Sequence, residues 1–150
     1  MAPSLFTYGT LEISLVLEAV TGKSFRSTAA VLPNYARFLL QGETYPGIFH
    51  DFGSEVTGVL FEEVDRDSLA LLDLFEGDFF RREEVRVMTP SQPRVDAYTY
   101  VVPAEHRLLF STQPWDREAF ISLHLKDFLP YCREFHWNQT RRLGMGLHPR

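Results

Sequence analysis

The chain has 150 residues, of which 45% are hydrophobic, with 13 Phe and 6 Tyr, and it carries a formal net charge of −5. That length fits one compact domain and that apolar content supplies a core, which excludes a disordered chain. The acidic balance, with no basic patch and no aromatic RNA-binding motif, argues against nucleic acid as a partner.

Ser4 to Tyr8 reads as a short strand ending at Gly9. Glu12 to Val20 reads as a helix, with Thr10 as its N-cap and Gly22 closing it. Ala30 to Leu32 and Ala36 to Gln41 alternate like strands, broken by the turn signal Pro33-Asn34. Tyr45-Pro46-Gly47 marks another turn, and Glu55 to Val64 another strand. Asp65 caps a helix from Arg66 to about Glu76, which Gly77 ends. Val85 to Met88 and Ala97 to Val102 follow as strands around the hairpin loop Pro90-Ser91-Gln92-Pro93. Asp116 caps a last helix with the apolar stripe Phe120, Leu123, Phe128, Tyr131 and Phe135, which Pro130 kinks or splits. This order predicts a mixed α+β domain with a curved, barrel-like β-sheet flanked by helices. The whole chain, 1–150, reads as one domain. Its core spans about 4–136, and 141–150 is aperiodic and expected to fray as a flexible tail.

Cys132 stands alone, which excludes an internal disulfide and any multi-cysteine zinc site; it reads as a small core residue. The five His lack metal-pair spacing, so no metal site is expected; no Ser sits in a nucleophile elbow, and no Walker or dinucleotide loop is present. No stretch reaches the ~20 apolar residues that span a bilayer. Met1 to Tyr8 lacks the pattern of a secretory leader, so the expected location is the cytoplasm, with no membrane partner.

Two segments carry chemistry. Tyr8-Gly9-Thr10-Leu11 lies at a strand-to-helix junction, where open N–H groups suit an anion, or where Gly and Thr simply make a turn. In Leu72-Asp73-Leu74-Phe75-Glu76-Gly77, Glu76 falls at a helix C-terminus, three residues after Asp73 and beside Phe75, Phe79 and Phe80. The helix dipole, a like charge and desolvation would each raise its pKa toward that of a general acid/base. The other reading is a surface glutamate paired with Arg81 or Arg82. Tyr45 is a turn or core aromatic. Tyr98 and Tyr100 share one strand face, as ligand contacts or as core tyrosines.

The order of these segments resembles the gamma-glutamylcyclotransferase-like family, and within it the plant avirulence-induced-gene-like branch. The resemblance runs from about Ser4 to Phe135. It rests on Leu5-Phe6-Thr7-Tyr8-Gly9-Thr10-Leu11, Gly42-Glu43-Thr44-Tyr45-Pro46-Gly47-Ile48, Val56-Thr57-Gly58-Val59-Leu60-Phe61 and the Glu76 segment with Arg81-Arg82-Glu83-Glu84-Val85. Ala97-Tyr98-Thr99-Tyr100-Val101 and Lys126-Asp127-Phe128 complete it. It implies a small barrel with a pocket at the Tyr8–Leu11 loop and Glu76 as catalytic acid/base. Tyr8, Gly9, Thr10, Leu11, Tyr45 and Tyr100 are the implied substrate-binding residues. The implied reaction is release of 5-oxoproline from a small gamma-glutamyl molecule, without a cofactor. Phe80 departs from the family pattern, which carries Tyr there, and Pro130 is unusual in a closing helix. A relative recruited to another proton transfer (lyase, isomerase or cyclase) and a metabolite-binding module without activity remain open beside it. Oligomeric state is not legible.

Overall fold

The computed structural model describes residues 2–144. Five strands, β1 (Leu5–Thr7), β2 (Ser27–Leu39), β3 (Pro46–Phe61), β4 (Arg81–Val87) and β5 (Val95–Val101), form one sheet in the order β2-β3-β1-β5-β4. β1 runs parallel to β5 and antiparallel to β3; the other pairs are antiparallel. Val31 N–H donates to the Met88 carbonyl and Met88 N–H to the Val31 carbonyl, both at 2.9 Å. Edge strand β2 therefore meets the chain just past edge strand β4, and the sheet curls back on itself, which hides edges that would otherwise recruit other chains. Helices α1 (Ser14–Thr21), α2 (Arg66–Glu76), α3 (Arg117–Leu123) and α4 (Leu125–Arg142) flank it. The fold is the barrel-like α+β arrangement that the order of elements predicts.

Alternation along β1 divides its side chains between two cores. Leu5 faces the helices with Val16, Val20, Leu72 and Phe120. Phe6 and Tyr8 face the barrel interior with Ile48, Val56, Leu60 and Val101. Cys132 lies fully buried in the helix-side core, where burial pushes its thiol up to about 12. It is a packing residue, as its sequence context suggests.

Several boundaries differ from expectation. Pro33-Asn34 does not break β2. It forms a bulge where the register with β3 shifts, Asn34 adopts φ 67, and its Oδ1 accepts the Gly53 N–H at 3.0 Å. A bulge is where a strand tolerates the missing N–H of proline. The turn expected at Tyr45-Pro46-Gly47 lies earlier: Glu43 N–H closes on the Leu40 carbonyl, and Pro46 already opens β3 opposite Leu39. The strand expected at Glu55–Val64 is the second half of β3, and β4 starts at Arg81 rather than Val85. Thr10 is not the cap of α1. It opens a one-turn 3₁₀ segment, Thr10–Glu12, without a side-chain cap, and the extended, buried Ile13 separates that turn from α1.

The last helix divides at His124 (φ −128, ψ −24), not at Pro130. Pro130 lies inside α4 on its exposed side, where the lost hydrogen bond is offset by the packing of Phe128, Cys132 and Phe135 on the helix-side core. α4 also runs to Arg142 with Thr140 buried, so the segment expected to fray is helical at its start. Residues 145–150 lie outside the described residues.

One close approach fixes β1 against β3. A Cβ at Gly58 would run into the Thr7 carbonyl oxygen and would lie 2.8 Å from Cζ of Phe6. Backbone cannot yield there as a side chain can. Gly58→Ala is expected to lose about 1–3 kcal/mol of folding stability, the usual range for overpacking. Urea unfolding would read this as a lower midpoint with an unchanged slope.

Candidate active site

The site is built where the two cores meet, beyond the end of β1. α2 starts at Asp65, whose carboxylate accepts the Ser68 N–H at 3.2 Å, and it stops at Gly77 (φ 71). Glu76 is therefore the last helical residue before the chain turns. It opens into a cavity of about 430 Å³. β1 and the turn after it contribute Phe6, Tyr8, Gly9, Thr10 and Leu11. The β2–β3 hairpin adds Thr44, Tyr45 and Pro46. Phe75, Phe80 and Tyr100 stand beside Glu76, and Phe128 and Tyr131 of α4 complete the wall. All seven residues nominated from the sequence, Tyr8, Gly9, Thr10, Leu11, Tyr45, Glu76 and Tyr100, line this one cavity.

Glu76 is half-buried, and burial alone lifts its carboxyl from 4.5 to about 8. Desolvation, one of the three effects that its sequence context suggests, is the cause of this rise. Asp73, the like charge one turn back, is taken up elsewhere: it accepts the Tyr100 hydroxyl at 2.7 Å and faces Arg82 Nε at 3.5 Å. Arg82 in turn lies over the Tyr98 ring. The pairing of Glu76 with Arg81 or Arg82 does not occur. Among the described residues nothing donates a hydrogen bond to the Glu76 carboxyl, and no cation pairs with it.

The tyrosines form a chain. Tyr8 Oη donates to the Tyr100 carbonyl at 2.6 Å, and Tyr100 Oη continues to Asp73. Burial, then the charge of Glu76, raise the Tyr8 hydroxyl well above its ordinary value, and burial with the Asp73 bond also raises Tyr100 well above its own. These two hydroxyls are neutral donors locked into the fold. Tyr45 Oη donates to Glu43 at 2.8 Å, and burial followed by that bond pushes it up to about 12. Tyr98 and Tyr100 do share the helix-side face of β5.

The turn is held from behind. Arg37 Nη1 donates to the Tyr8 carbonyl at 2.7 Å and to the Thr57 carbonyl at 3.0 Å. A Cβ at Gly9 would lie 2.9 Å from Cγ and Cδ of Pro46, so the bare glycine lets the hairpin close onto β1. Trp115 Nε1 donates to the Thr44 carbonyl at 3.2 Å and anchors the same hairpin. The backbone bonds of the turn begin with Glu12 N–H to the Gly9 carbonyl, leaving the preceding N–H groups at its open start.

Sequence reasoning missed Arg37, Trp115, Thr44 and the cavity role of Phe128 and Tyr131. The last two sit three apart on α4, a spacing that reads equally as core stripe or cavity wall. Among the described residues no group of three His, Cys, Asp or Glu could hold a metal ion, and no helix is long and apolar enough to cross a membrane.

Comparison with known proteins fits this geometry. The family model described as gamma-glutamyl cyclotransferase, AIG2-like, matches residues 5–117. AIG2-like protein D of Arabidopsis thaliana is 31% identical over 135 residues, covering 88% of each chain. AIG2-like protein C of the same plant is 30% identical over 143 residues, covering 95% of this chain and 81% of that one. A solution structure of an Arabidopsis thaliana protein superposes with a TM-score of 0.67 at 26% identity, over 93% of this chain and 85% of that one. A structure titled gamma-glutamyl cyclotransferase shares the fold, with a TM-score of 0.60 and 22% identity, over 69% of this chain and 68% of the other. The chain belongs to the gamma-glutamyl cyclotransferase, AIG2-like family.

Proposed function

We propose that this protein cyclises a small gamma-glutamyl amine or amino acid to 5-oxoproline, with Glu76 as the general acid/base and without a cofactor. The observation that carries the reading is a carboxyl group with no partner, lifted by burial to about 8, in the cavity that holds the Tyr8–Leu11 turn.

The substrate's α-amine must lose a proton before it can attack the γ-carbonyl. A carboxylate whose pKa lies near that of the ammonium takes this proton with little free-energy penalty. The nitrogen then closes a five-membered ring on the γ-carbon. The protonated Glu76 donates to the departing nitrogen, the C–N bond breaks, and the ring nitrogen's second proton leaves through the same carboxylate to solvent. Proximity supplies much of the acceleration, because a folded-back γ-glutamyl chain reacts within itself. The N–H groups of Gly9, Thr10 and Leu11 face the substrate α-carboxylate or the oxyanion of the tetrahedral intermediate. Tyr8, Tyr45 and Tyr100 shape the pocket, the first two holding ring edges against the glutamyl chain and the third fixing the floor through Asp73.

Glu76→Gln should retain the fold and lose at least ~100-fold in turnover, the usual scale for a general acid/base, measured as 5-oxoproline released. Near-normal cyclisation by that variant rejects Glu76. The wild-type kcat/KM should rise with pH through about 8, as the free carboxyl ionises, and that limb should vanish in the variant.

A reading independent of substrate comes from stability. An acid whose pKa is raised on folding binds its proton more tightly in the native state than in the unfolded chain. Native stability is therefore lost as pH climbs from 4.5 through about 8. Glu76→Gln lacks that loss. Its melting temperature relative to wild type should increase steadily between pH 5 and pH 9, and a constant difference would show that the carboxyl is not held neutral.

A further inference from the structure

Resting on the cyclotransferase reading, we infer that Arg37 is a positioning residue for the reaction, clamping the Tyr8–Gly9 peptide so that the Gly9 N–H is presented to the cavity. Arg37 Nη1 donates to the Tyr8 carbonyl at 2.7 Å and to the Thr57 carbonyl at 3.0 Å. Tyr8 and Gly9 line the cavity and Arg37 does not, so the grip comes from the other side of the peptide. That peptide group is planar and trans, so its carbonyl and its N–H point in opposite directions. Turning the Tyr8 oxygen toward Arg37 therefore turns the Gly9 N–H away from it.

Gly9 is where such a clamp is needed. Its φ −137 and ψ −134 lie outside both the helical and the strand regions. A larger residue is barred, because a Cβ there would lie 2.9 Å from Cγ and Cδ of Pro46. The position must be glycine, and glycine leaves other backbone wells within reach of the peptides on either side. Each of those peptides is pinned through its carbonyl. The Gly9 carbonyl accepts the Glu12 N–H at 3.0 Å, a bond local to the turn. The Tyr8 carbonyl is held by Arg37 of β2, 29 residues away along the chain.

Arg37 is itself kept for main-chain oxygen. Among the described residues no carboxylate lies within ion-pair distance of it. Glu12 faces it, but the Glu12 carboxylate is taken by Arg117 Nε at 3.1 Å. A carboxylate bonded directly to Arg37 would compete with the two carbonyls. The Trp115 ring supports the guanidinium from another side, with Cζ 5.9 Å from the ring centroid. A charged donor makes a stronger bond than a neutral one, and it polarises the peptide it holds, so the N–H of that peptide donates more strongly in turn. That is of use wherever negative charge sits or gathers on the substrate. Lysine would supply the charge without the fixed fork of donors.

The test compares Arg37→Met, which keeps the apolar stem and removes every donor, with Arg37→Lys. Both are assayed beside the wild type on γ-glutamylalanine and γ-glutamylbutylamide, as 5-oxoproline released. Arg37→Met is expected to lose about 10–100-fold in kcat/KM, the scale of a misplaced catalytic donor. The rise of kcat/KM through about pH 8 should stay where it is, because burial of Glu76 sets it. Arg37→Lys should recover part of the loss. Nitrogen-15 spectra of the ligand-free protein supply a readout apart from activity: the Gly9 amide should be sharp in the wild type and shifted or broadened in Arg37→Met. A lower melting temperature with wild-type kcat/KM in the folded fraction would reduce Arg37 to a structural part and overturn the inference. Exchange broadening of the Gly9 amide in the wild type would overturn it too, and that result needs no variant to fold. Release of 5-oxoproline from neither compound by the wild type would instead overturn the cyclotransferase reading and the positioning role with it, while a Gly9 amide that is sharp only with Arg37 present would still establish the clamp.

Discussion

A carboxyl group without a partner, facing a cavity walled by rings, is the constraint around which the rest of this molecule is arranged. Keeping Glu76 in that state takes work from its surroundings. The acid one turn earlier, Asp73, would be a second anion beside it, and it is removed from play by the Tyr100 hydroxyl and by Arg82. Arg82 could have neutralised Glu76, but it is drawn over the Tyr98 ring toward Asp73. Two carboxylates on one short helix thus receive opposite treatment. One is bound into the scaffold, and the other is left unpaired at the cavity, its pKa pushed up to about 8 by burial.

The scaffold that enforces this is a relay of hydrogen bonds across elements distant in sequence. Tyr8 of the first turn donates to the backbone of β5, and Tyr100 of β5 donates to α2. Arg37 of β2 grips the Tyr8 carbonyl from behind, and Trp115 holds the hairpin that brings Thr44, Tyr45 and Pro46 over the opening. The Tyr8 bond is buried and the Tyr100, Arg37 and Trp115 bonds are part-buried, settings in which a lost partner is costly. A cavity assembled from β1, the hairpin, α2, β5 and α4 is thereby fixed in shape before any ligand arrives, which favours binding and orientation alike.

How much of this was legible in the sequence follows from what each signal physically encodes. Local signals served well: Asp65 and Gly77 bracket α2 because a cap and a left-handed glycine act within one turn of chain. The Pro33-Asn34 pair failed as a turn signal because the same chemistry also makes a bulge, and long-range pairing with β3 decides which. Pro130 failed as a helix break because tertiary packing outweighed one lost hydrogen bond. The position of Glu76 in the cavity came from the spacing shared with a family, not from its own neighbours, whose charges suggested a surface ion pair as readily. Arg37 and Trp115 left no mark at all. Their partners are backbone carbonyls, and a carbonyl carries no residue identity for a sequence to display.

Glu12 supplies the comparison that separates a poised acid from a merely buried one. Its side chain is as deeply buried as any charged group described, and burial raises its pKa too. Yet Arg117 Nε lies 3.1 Å from its carboxylate and Arg37 also faces it, each pulling the pKa back. Glu12 therefore joins α3 to the turn before α1 as an ion pair, and it is not among the residues that line the Glu76 cavity. A raised pKa is common to both residues and so distinguishes neither. What sets Glu76 apart is geometric: desolvation with no counter-charge, together with open space in which a substrate could stand. A fully buried unpaired carboxyl would be a plain defect, because nothing would ever repay its desolvation. One that borders a cavity has room beside it for a counter-charge from outside, which a sealed core position lacks.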